Sequence, residues 1–422
     1  MIEMPAVVGD VVRSVGLSTA MKAAGVVTGL LPIPQPILLT GPGSSARLGQ
    51  ALAGFGHRRI LVVTDPTIAK LGLLAPFTRS LEAGGTAFTV FDEVTPDAPV
   101  PVIEKGLAVF TRKKCDAVVG FGGGSPMDAA KIIAYAAANG SHPFKLAGYF
   151  KGLHSPCPIY AVPTTAGTGS EVTVAAVMSD PEHGVKLVVA DTRLVPTMAA
   201  LDPALMTGLP RKVTAATGMD ALTHAVEAFI GKWATETTDR WALAAVALVY
   251  GNLRAACAKP KDLETRERMA LAATYAGLAF TRANVGYVHA IAHQLGGRYH
   301  VPHGLANAIV LPPVLEAMAP AIGKRLARLA VAAGVGKESE KPAALAKKFI
   351  ASVKAMNKAI GIPATLAALQ AADIRDLAKA ACREADTNYP VPKYLSPRHV
   401  EALLGGLLAK RPRAGSRPPR AG

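Results

Sequence analysis

A chain of 422 residues exceeds what one compact core of ordinary size holds, so roughly two to three domains are expected. Hydrophobic residues at 50% and charged residues at 18% exclude intrinsic disorder, and no apolar stretch reaches the roughly 18 consecutive residues of a membrane span. A net charge of +16 raises nucleic-acid binding, but the basic cluster Lys410, Arg411, Arg413, Arg417 and Arg420 falls in a Pro/Gly-rich tail, and the other bases alternate with acids as on a solvated surface.

Residues 1–34 read as an N-terminal helical extension, closed by Pro32, Pro34 and Pro36. Glu3 and Asp10 stand where a secretory signal would be basic, and the four cysteines are scattered without a C-x-x-C, so a reducing cytoplasm is the expected compartment.

From 35 to 209 short β-branched runs alternate with helical ones, the pattern of an α/β domain with a largely parallel sheet. Strands are predicted at Arg59 to Thr64, Ala87 to Phe91, Ala117 to Phe121 and Ile159 to Val162, with helices such as Ala129 to Ala138 between them. Asp65, just after the first of these strands, can accept both hydroxyls of an adenosine ribose and would repel a 2′-phosphate, which favours NAD over NADP; an ordinary turn residue is the competing reading. After the third strand, Gly122-Gly123-Gly124-Ser125-Pro126 forms a tight turn into a helix, with Ser125 as N-cap and Pro126 at the first helical position. Free N–H groups and the positive dipole end then suit a pyrophosphate, although the G-x-G-x-x-G spacing is absent. A second small-residue loop, Pro163-Thr164-Thr165-Ala166-Gly167-Thr168, follows the fourth strand and reads either as a ligand loop or as a plain Thr/Gly turn.

Near Leu209-Pro210 the β-branched runs stop, and Ala/Leu-rich helical periodicity continues to about residue 409, implying a second, all-helical domain; residues 410–422 form the basic tail. Within this domain Asp220, His224 and Glu227 share one helical stripe, so a carboxylate and an imidazole project from the same face, as a metal site or a surface ion pair would have them. Downstream, His289 and His293 share a face of an apolar run and are expected to be buried. That helix should stop at Gly296-Gly297, and Pro302-His303-Gly304 should start the next. Hydrogen-bonded core histidines are the alternative. A zincin protease is excluded because Ala290 stands where its general-base Glu would be. A set of imidazoles and one carboxylate suits Fe(II), Zn(II), Co(II) or Ni(II).

Together these residues resemble the iron-containing (group III) alcohol dehydrogenases over about residues 35 to 405: the turn at Gly122 to Pro126, the loop at Pro163 to Thr168, the helix from Asp220 to His224, and the stretch from Val288-His289 to Pro302-His303-Gly304. The resemblance implies an α/β N-terminal dinucleotide-binding domain followed by an all-α C-terminal metal-binding domain, the dehydroquinate synthase-like fold, with the active-site cleft between them. It implies NAD held by Asp65, Asp97, Gly123, Gly124, Ser125, Thr164, Thr165, Thr168 and Lys186, and one divalent ion, Fe(II) or alternatively Zn(II), held by Asp220, His224, His289 and His303. His293 is implied to lie beside the ion and to carry protons. The expected activity is NAD-linked oxidation of a primary alcohol or diol to its aldehyde by a homodimer that binds neither nucleic acid nor membrane. Within the superfamily the rivals are a hydroxyacid-oxoacid transhydrogenase, a polyol dehydrogenase and a redox-neutral enzyme of the dehydroquinate synthase kind; a nucleic-acid-associated basic protein is the rival from another class. Near the C-terminus the family's Thr-Asn-Pro-Arg is here Thr387-Asn388-Tyr389-Pro390, so Tyr389 bears on the substrate.

Overall fold

The computed structural model describes residues 31–409 together with Gly25, so the expected N-terminal helix and the basic tail lie outside the described residues. The first half builds a six-stranded parallel sheet from β1 (Ile37–Thr40), β2 (Arg59–Val63), β3 (Ala87–Phe91), β4 (Ala117–Gly122), β6 (Ile159–Pro163) and β9 (Met198–Leu201), in the order β1-β9-β6-β4-β2-β3. The four strands predicted from apolar runs are its central and right-hand members, because a strand covered on both faces reads as continuous Val/Ile/Leu. Alternate side chains enter two layers. Leu61, Val63 and Val118 pack beneath α4 (Val100–Lys113) and α5 (Gly124–Asn139), whereas Ile60, Val62, Val119 and Phe121 pack beneath α1 (Ser44–Gly54) and α3 (Ala75–Ala83).

Two features were not predicted. The edge-side strands β1 and β9 carry short, Pro-flanked or Ala-rich sequences, and a separate three-stranded sheet is formed by β5 (Gly148–Tyr149), β7 (Ala175–Asp180) and β8 (Val185–Ala190), with β7 and β8 antiparallel. The direction in which successive strands are added reverses at β2, whose neighbours β3 and β4 lie on opposite sides of it. The crevice at the C-terminal ends of β2 and β4 is where open α/β sheets place their ligands. Asp65 and the triple-glycine turn both fall there.

The second half is helical: α6 (Arg211–Ile230), α7 (Glu236–Ala258), α8 (Leu263–Ala283), α9 (Tyr287–Tyr299), α10 (His303–Ala332), α11 (Pro342–Ile360), α12 (Ile374–Asn388) and α13 (Pro397–Gly406). Helix α6 is apolar nearly all round and lies at the centre against α7, α8 and α10, which is why its few polar residues are deeply buried. Helices α7 and α10 are long and apolar enough to cross a membrane, but here they supply the core of this domain, and Pro312, Pro313 and Pro320 interrupt α10.

Two helix ends differ from expectation. Gly123, not Ser125, precedes the first turn of α5: β4 continues through Gly122 and the helix starts two residues earlier than the Ser-Pro pair implies. Helix α9 runs past Gly296 and Gly297 to Tyr299 and ends on His300 at φ 54°. Here α9 faces the β7–β8 turn: a β-carbon on Gly297 would lie 3.4 Å from the Gly184 carbonyl, and one on Gly296 3.9 Å from Lys186 Nζ, both ordinary contacts that do not demand glycine.

Candidate metal and dinucleotide site

Helix α6 presents Asp220 and His224 one turn apart, α9 presents His289, and the first turn of α10 presents His303. Ligand atoms of all four lie within 4.8 Å of one another. His224 Nδ1 stands 4.0 Å from Asp220 Oδ2, and His303 Nε2 stands 3.6 Å from Asp220 Oδ1. The first three residues are buried, while the His303 side chain keeps 29% exposure at the mouth.

Hydrogen bonding fixes what this cluster offers. His289 Nδ1 meets the buried Glu227 carboxylate at 2.6 Å, so with Nδ1 as donor its Nε2 carries a lone pair toward the cluster. Glu227 Oε1 also accepts from Val288 N–H at 2.7 Å, and burial pushes this carboxyl up to about 7. Burial likewise holds His224, and His289 more strongly, below the ordinary imidazole range, and lowers His303 to about 3, which keeps these rings neutral and able to donate lone pairs at pH 7. Asn307, one turn after His303, donates from Nδ2 to Asp220 Oδ1 at 2.7 Å, with His303 Nε2 at 3.2 Å and His289 Nε2 at 3.3 Å. Its two N–H groups cannot serve three acceptors. His224 Nδ1 has no hydrogen-bond partner. A buried surplus of lone pairs on three imidazoles and a carboxylate is what a divalent cation satisfies, and metal bonds of about 2.1 Å would need only slight contraction of the set.

His293, one turn beyond His289, stacks against His303 with ring centroids 5.3 Å apart and keeps 21% exposure, in contrast with its expected burial. Its Nδ1 meets Glu384 of α12 at 2.6 Å. Sequence reading placed Glu227 in the α6 stripe without a role, and gave none to Asn307 or Glu384. Glu227 could have been found from that stripe; Glu384 lies 91 residues from its partner, and nothing local signals it.

The residues expected to hold a dinucleotide converge on the crevice. Asp65 caps α2 (Pro66–Lys70), its Oδ1 accepting from Thr67 N–H at 2.9 Å and Ile68 N–H at 3.0 Å, while Oδ2 lies 3.4 Å from where a β-carbon on Gly122 would stand. It is therefore a turn residue with one oxygen left toward the glycine turn. Thr164 N–H donates to the Gly122 carbonyl at 2.9 Å, joining the two loops. A β-carbon on Gly124 would be 2.8 Å from Thr168 Cγ2, too close without a shift, so the two loops approach this tightly because that position is glycine; one on Gly123 would make an ordinary 3.6 Å contact with Thr165 Oγ1. Lys186 Nζ meets Asp97 Oδ1 at 2.6 Å, and Asp97 N–H donates to Ser125 Oγ at 3.0 Å, linking β8, the loop before α4 and α5. Asp97 holds a left-handed φ of 65°.

Comparison with known proteins agrees with this geometry. Residues 35–203 match the model of the iron-containing alcohol dehydrogenases, and residues 214–408 match that of the C-terminal part of the Fe-containing alcohol dehydrogenase family. The chain is 41% identical to 1,3-propanediol dehydrogenase of Klebsiella pneumoniae over 86% of its own length and 95% of that protein, and 37% identical to the NAD-dependent methanol dehydrogenase of Bacillus methanolicus over 83% and 93%. The crystal structure of a 1,3-propanediol oxidoreductase superposes with a TM-score of 0.86 at 38% identity, covering 89% of this chain and 99% of the other. The two family models together span most of the chain, and a solved relative shares its fold of an α/β half followed by a helical half, so the chain belongs to the iron-containing alcohol dehydrogenase family.

Proposed function

We propose that this alcohol dehydrogenase uses NAD and one Fe(II) ion, held by Asp220, His224, His289 and His303, to interconvert a primary alcohol or diol and its aldehyde. The observation that carries the reading is the surplus of buried lone pairs at these four residues, beside a cradle built from two interlocked loops. When bound, the metal supplies Lewis acidity toward an alcohol oxygen and the dinucleotide accepts the hydride. The chain's residues do the rest. Neutral His224, His289 and His303 with Asp220 orient the ion, Glu227 locks the His289 ring, and the glycine turn with Thr164, Thr165 and Thr168 lets backbone approach the pyrophosphate. Asp65 Oδ2 is left for ribose hydroxyls and disfavours a 2′-phosphate, in keeping with the NAD named for the methanol dehydrogenase relative. His293, partly exposed, takes the alcohol proton and passes it to solvent.

Lys186, whose charge reaches His303, is already paired with Asp97, which favours an uncharged alcohol or diol over a hydroxyacid. Four scattered cysteines without a C-x-x-C support a reducing cytoplasm, and a homodimer is our assignment for the assembly. After anaerobic loading with Fe(II), a panel of primary alcohols, 1,3-propanediol and hydroxyacids should give NADH absorbance with alcohols and diols only. Turnover of hydroxyacids alone, or of NADP alone, would overturn the corresponding assignment.

A further inference from the structure

Glu384 receives three hydrogen bonds. Its Oε1 takes His293 Nδ1 and the Tyr389 hydroxyl, each at 2.6 Å, and its Oε2 takes Gln294 Nε2 at 2.7 Å. The donors come from two neighbouring residues of α9 and from the residue that closes α12, so both carboxylate oxygens are pinned and the group cannot swing away. Tyr389 stays a donor, since burial pushes its hydroxyl well above the ordinary range. An imidazole whose Nδ1 hydrogen is committed to a carboxylate has one remaining basic atom, Nε2. The arrangement at His293 repeats the one at His289, where Glu227 commits Nδ1 in the same way.

We infer that Glu384 is a positioning residue for the proton-carrying histidine: it fixes His293 as the Nδ1–H tautomer and holds the ring stacked on His303, so that Nε2 is the atom that takes the alcohol proton, with Gln294 and Tyr389 holding Glu384 in place. The proton leaves the alcohol O–H, rests on Nε2 and exits to water, while the hydride goes to the dinucleotide, so nothing further is consumed. This rests on the role given to His293 above.

A double-mutant cycle on the single-turnover rate of NADH formation separates the two ideas, with metal content measured in every variant. His293→Ala should slow the rate by about 100-fold with its metal retained. Glu384→Ala should slow it by about 10-fold or more in the otherwise native protein, and by less than about twofold when His293 is already Ala. An unaffected His293→Ala enzyme would dismiss the proton-carrying role. A slow His293→Ala enzyme in which Glu384→Ala still costs its full factor would show that the carboxylate merely ties α12 to α9, and would overturn this inference alone. Should Glu384→Ala not fold, the native protein decides. In a histidine-labelled, Zn(II)-loaded sample, the His293 Cδ2 signal, assigned by its absence in His293→Ala, should report the Nδ1–H tautomer; the Nε2–H signature would overturn the proposal.

Discussion

The cluster of Asp220, His224, His289 and His303 depends on side chains outside it. Glu227 commits one nitrogen of His289 and accepts backbone N–H groups at the start of α9, so it orients a ligand and seats a helix at once. Glu227→Gln keeps the size of the side chain but removes the charge opposite Nδ1, and metal affinity should fall by about 10- to 100-fold, as read by competition with a chelator. Unchanged affinity would mean that the ring is held by packing alone. At this scale the sequence exposes ligands better than their supports. The Asp220–His224 spacing and the run from His289 to His303 are periodic or clustered, and hence visible. Asn307 meets Asp220 across 87 residues and Glu384 meets His293 across 91. Ser125 was misplaced as a cap for a local reason, since nothing in Gly122-Gly123-Gly124 says which glycine ends the strand.

Among the elements, the segment joining the threonine loop to β7 is held from beneath by α5. Lys131 is fully buried and donates to the carbonyls of Thr173 at 3.0 Å and Ala175 at 2.9 Å, while Asp128 accepts from Ser170 Oγ at 2.6 Å and Val177 N–H at 3.0 Å. Burial pushes the Lys131 ammonium from 10.5 down to about 8, against the opposing pull of Asp128 and Glu171. Lys131→Met strands those carboxylates and should cost about 3–5 kcal/mol in chemical denaturation. The sign with pH follows from proton counts. Between about 8 and 10.5 the unfolded chain holds a proton on Lys131 that the folded chain has lost, so native stability rises with pH relative to Lys131→Met, and the gap should widen over that range. A gap that narrows would place the folded ammonium above its ordinary value. The central strands β2, β4 and β6 and the edge strand β3 were readable as apolar runs. The β7–β8 hairpin was not, because its open face carries Ala175, Val177 and Ser179 beside Lys186 and Val188, a mixed pattern that suits a cleft wall and resembles a loop.

For the whole molecule, the sequence changes from β-branched alternation to Ala/Leu periodicity near Pro210; in the structure β9 ends at Leu201 and α6 starts at Arg211. The cleft itself could not be read from composition. It lies where α9 meets the β7–β8 turn, with a β-carbon on Gly297 falling 3.4 Å from the Gly184 carbonyl, a pairing of elements far apart in the chain. Each half of the chain therefore supplies one part of the proposed site: the glycine and threonine loops from one, the cluster of Asp220, His224, His289 and His303 from the other. That the four ligands act as one site is tested most directly by metal analysis of His303→Ala after anaerobic Fe(II) loading, with NADH formation measured on the same sample. The expected result is about one ion per native chain, and a parallel loss of metal and activity to below about a tenth in the variant. A metal-replete, fully active His303→Ala protein would contradict it.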